Sequence, residues 1–244
     1  MKKHYKAVIL VLASDNSPIY QEFRKIYQRY LNECPDVKVL LVYGAGTSFE
    51  RQEYDLVYDD IVENYYPGMI TKTLRAMEHI DQTYDYDFLI RTNLSTFWDF
   101  TNLLKRLEVL PSTNCIAGSR IWNTVKGVKS SEYIAGVNLV LSRDLVIDII
   151  ANASEVCSWD NIAEDQAISQ YFTNNGVLLQ PHHPTACQRI HHITSDTTDL
   201  IMVEVIKAQK LNRDNFRLKN KDRNIDLIIL QLLLKEYYDK TVTE

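Results

Sequence analysis

The sequence predicts an α/β fold: a mostly parallel central sheet with helices on both faces. Three observations predict it. Lys6 to Ala13 (KAVILVLA) and Val37 to Tyr43 (VKVLLVY) are continuous apolar runs, as in strands covered on both sides. Apolar residues after these runs recur at helical spacing. Strand and helix patterns then alternate through the first half of the chain, the order of β-α-β units.

Ser14-Asp15-Asn16-Ser17-Pro18 ends the first strand. Ile19, Phe23, Ile26, Tyr27, Tyr30 and Leu31 fall on one helical face, which Pro35 stops. Gly44-Ala45-Gly46 closes the second strand, and Tyr54 to Tyr58 is a short third. Asp59, Asp60, Glu63 and Tyr65-Tyr66 form a polar and aromatic loop. Pro67 stands where a helix can begin, with Ile70, Leu74 and Met77 as its buried face. Phe88-Leu89-Ile90 is the next buried strand, and its end is polar: Arg91-Thr92-Asn93-Leu94-Ser95. A helical pattern with Phe97, Leu103, Leu104 and Leu107 follows; if the tip is a plain loop, Thr96 or Ser95 is the N-cap of that helix. Strand ends in an open sheet border a crevice, so Arg91 to Ser95 is read as the floor of an active site. The alternative is a plain strand-to-helix loop.

The second half is less regular. Cys115 to Ser119 is a short strand, and Val125 to Ser131 is expected to be a mobile loop. Tyr133 to Ser142 (YIAGVNLVLS) alternates like a strand, and Arg143 to Ile150 reads as a helix. A further helix begins within Ile162 to Ile168, reaches about Phe172 and ends at Asn174-Asn175-Gly176. Val177 to Leu179 and Cys187 to Ile193 are expected strands around a His/Pro-rich turn. Leu200 to Leu211 is helix-like, and Asp214 to Arg223 is a charged stretch. Ile225 to Tyr238 is apolar around most of a helix, which predicts burial against the domain or a partner chain, with a homo-oligomer as one outcome.

The composition narrows the function. With 244 residues, 45% of them hydrophobic, the chain can build one large domain or one with an appendage. A net charge of −5 and 24% charged residues give no basic field for nucleic acid, while a local cationic cleft for an anionic small molecule remains open. No apolar run reaches transmembrane length, and Lys2 and Lys3 precede too short a run for a signal peptide. Cys34, Cys115, Cys157 and Cys187 form no CxxC and are read as reduced, which places the protein in the cytoplasm. His182, His183, Cys187, His191 and His192 crowd one stretch, but their spacing fits no familiar closed zinc site.

Three separated blocks together resemble the Fringe and β-1,3-galactosyltransferase group of glycosyltransferases. The first is Asp60-Ile61-Val62 through Tyr65-Tyr66 to Ile70-Thr71-Lys72-Thr73, similar to the group's acidic-Ile…Tyr…Leu-Lys-Thr segment. The second is Phe88-Leu89-Ile90-Arg91-Thr92 and its tip, where the family carries three aspartates. The third is Tyr133 to Leu145 followed by Ala163-Glu164-Asp165, similar to its Tyr-x-x-Gly-x-x-Tyr-x-Leu-Ser segment and Glu-Asp pair. The resemblance implies a GT-A-like (Rossmann-type) domain over residues 1–199; residues 200–244 have no counterpart in the family and are read from their own helical patterns as a C-terminal helical extension.

It implies a nucleotide-sugar-dependent hexosyl- or pentosyltransferase that acts on a glycan hydroxyl with inversion, UDP-sugar being the favoured donor. Asp165 maps to the catalytic base; Gly136 and Glu164 fall near the donor or acceptor. Ser14, Asp15, Lys72, Arg91, Asn93 and Ser95 are the candidate donor-binding residues, and His191 or His192 the candidate for metal or diphosphate. The departure is at the tip, where Asn93, Leu94 and Ser95 replace the carboxylates that hold Mn²⁺ in the family. Neutral oxygens bind Mn²⁺ or Mg²⁺ far more weakly. Either no metal is used and cations such as Arg91 and Lys72 steady the departing nucleotide, or the domain is catalytically inactive and binds a glycan or nucleotide or scaffolds an assembly. Arg91 has a plainer alternative, a salt bridge to Asp87 or Asp165.

Overall fold

The computed structural model of the protein describes residues 2–125, 128–159, 162–181, 188–190 and 213–242. The strands are β1 (His4–Leu12), β2 (Val37–Tyr43), β3 (Asp55–Val57), β4 (Asp85–Asn93), β5 (Thr96–Trp98), β6 (Ile116–Ala117), β7 (Arg120–Val125), β8 (Val128–Ile134), β9 (Leu139–Ser142), β10 (Gln188–Ile190) and β11 (Asn215–Leu218). The helices are α1 (Pro18–Tyr30), α2 (Gly68–Thr83), α3 (Phe100–Glu108), α4 (Arg143–Ala151), α5 (Ala153–Cys157), α6 (Glu164–Asn174) and α7 (Arg223–Tyr238).

A six-stranded sheet runs in the order β3-β2-β1-β4-β9-β6. β1 to β4 are parallel neighbours, and β9 and β6 join antiparallel. Successive strand side chains point to opposite faces. Ala7, Ile9 and Val11 therefore face one layer and Val8, Leu10 and Leu12 the other. The first layer is closed by Phe23, Ile26, Tyr27 and Tyr30 of α1 together with α7. The second is closed by α2, α4 and α6 through residues such as Leu74, Met77, Val146, Ile149, Ile168 and Phe172. Burial on both faces is why these strands read as unbroken apolar runs.

The C-terminal helix belongs to this core. α7 lies on α1 and buries Ile229, Leu230, Leu233 and Leu234, each worth about 1.5–3 kcal/mol when fully removed from water. Tyr238 stacks on Tyr30 at 5.1 Å between ring centroids. Its hydroxyl donates to Trp98 O (2.8 Å) and accepts from Phe100 N (3.2 Å). Ile228 is the apolar residue of this helix left exposed.

Three local expectations are corrected. Phe97 and Trp98 lie in β5, not in a helix, and Asp99 caps α3 by accepting from Asn102 N, in place of Ser95 or Thr96. β5 forms because β11 pairs with it antiparallel, a long-range partner that local periodicity cannot reveal. Within the expected loop Val125 to Ser131, Val125 ends β7 and residues 128–131 belong to β8, the two strands pairing antiparallel, while residues 126 and 127 lie outside the described residues. Tyr133 to Ser142 divides between the end of β8, a turn over residues 135–138, and β9. Leu200 to Leu211 lies outside the described residues.

Candidate active site

The parallel register sets Leu12 of β1 beside Asn93 of β4, so the C-terminal ends of both strands open on one edge of the sheet. A cavity of about 380 Å³ lies there, lined by Ser14, Asn16 and Tyr20 after β1, by Glu63, Tyr65, Met69 and Lys72, and by Asn93, Leu94, Ser95 and Arg217. A second, of about 450 Å³, is lined by Arg91, Tyr133, Gly136, Glu164, Asp165 and Lys219 among others. Tyr65, Met69, Asn93 and Arg217 line both, so these are adjoining lobes of one cleft.

Gly136 is the hub of the second lobe. Its carbonyl accepts from Arg91 Nη1 and from Asn93 Nδ2 (3.3 Å), while its N–H donates to Asp165 Oδ2 at 2.6 Å. The backbone of one residue thus fixes the strand tip and the first turn of α6 against each other. What position 136 requires is space: a Cβ there would stand 2.6 Å from Arg91 Cζ and 3.0 Å from Asp165 Oδ2. Asp165 Oδ1 accepts from Gln166 N at 2.9 Å. A carboxylate oxygen has two acceptor sites, so each oxygen of Asp165 keeps capacity for a hydroxyl proton.

Arg91 is buried and its Nε is ion-paired with Glu164, which is buried as deeply. That corrects the expected partners. Asp87 sits four residues back along β4, about 13 Å away by strand rise, and pairs with Lys6 at 2.9 Å. Asp165 instead holds the Gly136 amide. Arg91 also donates to Asn93 Oδ1 at 3.1 Å.

Burial pushes the Glu164 carboxyl up to about 7 from 4.5, outweighing the nearby Arg91 guanidinium, with Asp165 adding to the rise. A carboxyl raised in the folded state contributes stability that is fully present below its unfolded value and is lost as pH rises through its folded one. The melting temperature of wild type relative to Glu164→Gln is therefore expected to fall between about pH 4.5 and 7. A difference that stays flat across that range contradicts the assignment.

The first lobe is organised by another buried cation. Lys72 Nζ donates to Ala13 O at 2.9 Å and contacts Glu63 Oε1 at 2.5 Å. Burial lowers its pKa, against the pull of Glu63. Ser14 lines this lobe. Asp15 is not among the lining residues: its carboxylate accepts from the Ser48 amide and hydroxyl, both at 2.7 Å, and from Gln21 (2.9 Å). These bonds act against partial burial and hold its pKa low. Ser17 occupies the N-cap of α1.

The sequence reading passed over Arg217. Phe216 and Leu218 of β11 are fully buried, which sends Arg217 and Lys219 to the cleft side. Arg217 Nη1 hydrogen-bonds Ser95 Oγ, and Leu218 N donates to Ser95 O at 3.0 Å. The signal was present as an apolar-polar alternation, Phe216-Arg217-Leu218-Lys219, inside a stretch read only as charged.

A divalent cation is a poor fit to the described residues. The tip offers two neutral oxygens and the buried apolar Leu94. Of the carboxylates that line the cleft, Glu63 is paired with Lys72, Glu164 with Arg91, and Asp165 accepts from Gly136 N and Gln166 N. Among the described residues no group of three His, Cys, Asp or Glu side chains could hold a metal ion. His191 and His192 lie outside the described residues, as does Cys187; Cys34, Cys115 and Cys157 are free thiols. Among the described residues no helix is long and apolar enough to cross a membrane.

Comparison with solved structures assigns the architecture. The chain is similar to a glycosyltransferase involved in the glycosylation of the major capsid of PBCV-1, with 9% identity, 92% of this chain and 99% of that one covered, and a TM-score of 0.53. It is also similar to the apo form of the glycosyltransferase GlyE of Streptococcus pneumoniae TIGR4, with 10% identity, 97% of this chain and 64% of that one covered, and a TM-score of 0.50. The fold is the GT-A type: a mostly parallel central sheet flanked by helices. No protein-family model and no curated protein matches the sequence.

Proposed function

We propose that this protein is a glycosyltransferase that moves a sugar from a nucleotide-sugar donor, a UDP-sugar by preference, to a glycan hydroxyl with inversion. One observation carries the reading. Asp165 and Asn93 meet through the backbone N–H and C=O of Gly136 on the wall of one open cleft at the strand ends. That is where an acceptor's base and a donor's diphosphate must stand relative to each other. The three sequence blocks that resemble the Fringe group supply residues to this same cleft, from Glu63 to Lys72, from Arg91 to Ser95, and from Tyr133 to Asp165.

In the proposed reaction the nucleoside occupies the lobe of Ser14, Asn16 and Tyr20, and the sugar reaches into the lobe of Asp165. An acceptor oxygen attacks the anomeric carbon from the face opposite the diphosphate. A C–O bond forms as the bond from that carbon to the β-phosphate oxygen breaks, and the electron pair leaves with the nucleoside diphosphate. The hydroxyl proton passes to Asp165, whose position matters more than its resting pKa. Holding donor and acceptor in line supplies much of the rate. Arg91 and Glu164 act behind this, by fixing Gly136 and through it the base.

A panel of UDP- and GDP-sugars assayed for slow hydrolysis tests the reading without a known acceptor. Release of nucleoside diphosphate from at least one donor is expected. A panel in which no donor is hydrolysed and none binds leaves an inactive domain that binds a glycan or scaffolds an assembly as the better account.

A further inference from the structure

We propose that Arg217, brought in by the C-terminal strand β11, grips the donor diphosphate with Lys219 beside it and takes the charge-neutralising part that a divalent cation would play. The proposal rests on the nucleotide-sugar reading above.

Position is the first argument. Arg217 lies in the wall that the two lobes share, next to Asn93 and Ser95. A donor with its nucleoside in one lobe and its sugar in the other carries its diphosphate across that wall. Charge is the second. The two cations expected to meet the phosphates are each held by a carboxylate, Arg91 by Glu164 and Lys72 by Glu63. The tip residues Asn93, Leu94 and Ser95 are neutral. Arg217 and Lys219 add two further cationic side chains to the wall of this cleft, in a chain of net charge −5. Chemistry is the third: a guanidinium is a planar fork of N–H donors that matches a phosphate bidentately, so substitution by lysine is not conservative there.

The strand that carries Arg217 is firmly anchored. Phe216 and Leu218 are fully buried. Asp99 N donates to Asp214 O at 2.8 Å, and Arg106 forms a buried ion pair with Asp214. A group on such a support can meet a developing negative charge without first being reorganised.

The test is calorimetric titration of UDP, GDP and inorganic pyrophosphate in EDTA, into wild type, Arg217→Gln, Arg217→Lys and a charge-loss control on the far face of α1, Lys25→Ala. Wild type is expected to bind a nucleoside diphosphate and pyrophosphate without metal. Arg217→Gln should lose roughly 30-fold or more, the size of a lost charge-assisted contact. Arg217→Lys should fall between the two, and Lys25→Ala should match wild type. Wild-type affinity in Arg217→Gln, or binding that appears only when Mn²⁺ is added, overturns the proposal while leaving the glycosyltransferase reading standing. Failure of wild type to bind any nucleotide or nucleotide sugar, with or without Mn²⁺, overturns both. If Arg217→Gln melts early, Arg217→Lys decides: equal affinity in that folded variant is equally fatal.

Discussion

Asp165→Asn is expected to fold and melt like wild type and to lose sugar transfer by about 10²- to 10⁴-fold, the range for loss of a general base. The separation of folding from activity follows from the contacts. An asparagine carbonyl can still accept from Gly136 N, the bond that Asp165 makes at 2.6 Å, and its amide gives up only the contact to Gln166 N. The side chain is only partly buried, so the exchange removes a charge without opening a cavity. What the amide cannot do is take the acceptor's proton. Turnover and melting temperature measured on one preparation check this, and unchanged turnover removes Asp165 from the chemistry.

Gly136→Ala should fail in the opposite manner, losing stability and activity together. The added Cβ would meet Arg91 Nη1 and stand 2.6 Å from Arg91 Cζ and 3.0 Å from Asp165 Oδ2. Arg91 cannot retreat easily, because it is buried and tied to Glu164 and Asn93. Overpacking of this kind costs about 1–3 kcal/mol. The same displacement moves the strand tip and the base apart, so transfer should fall further than the stability loss alone explains. Thermal unfolding with donor turnover is the check; wild-type values for both would mean that Gly136 is not the hub described above.

The sheet was legible in the sequence because its strands are buried on both faces. KAVILVLA and VKVLLVY have no polar residue to spare within the core, and the helix faces of α1 and α2 follow from spacing alone. The β7–β8 pair was not legible, since a two-stranded ribbon outside the central sheet lacks the apolar signature of a core strand. β5 was missed for a different reason: Thr96 to Trp98 is too short to announce itself and exists by pairing with β11, more than a hundred residues away.

The site divides in the same way. Arg91, Asn93 and Ser95 stand at a strand end and Glu164 and Asp165 at a helix start, places that a sequence reading can find. The pairing of Arg91 with Glu164, not with its own acidic neighbours, depends on the turn at Gly136 and could only be seen in three dimensions. Arg217 was hidden because its contribution arises from the chain's return to the tip. No local pattern marks where a strand will dock.

The account's central claim is that the nucleotide-sugar donor lies across both lobes, and a crystal structure of the protein with a non-hydrolysable UDP-sugar analogue tests it most directly. The predicted result is a nucleoside beside Ser14 and Tyr20, phosphates between Ser95 and Arg217, and the anomeric carbon facing the Asp165 carboxylate. An analogue bound away from this cleft, or turned so that its sugar points away from Asp165, would contradict it.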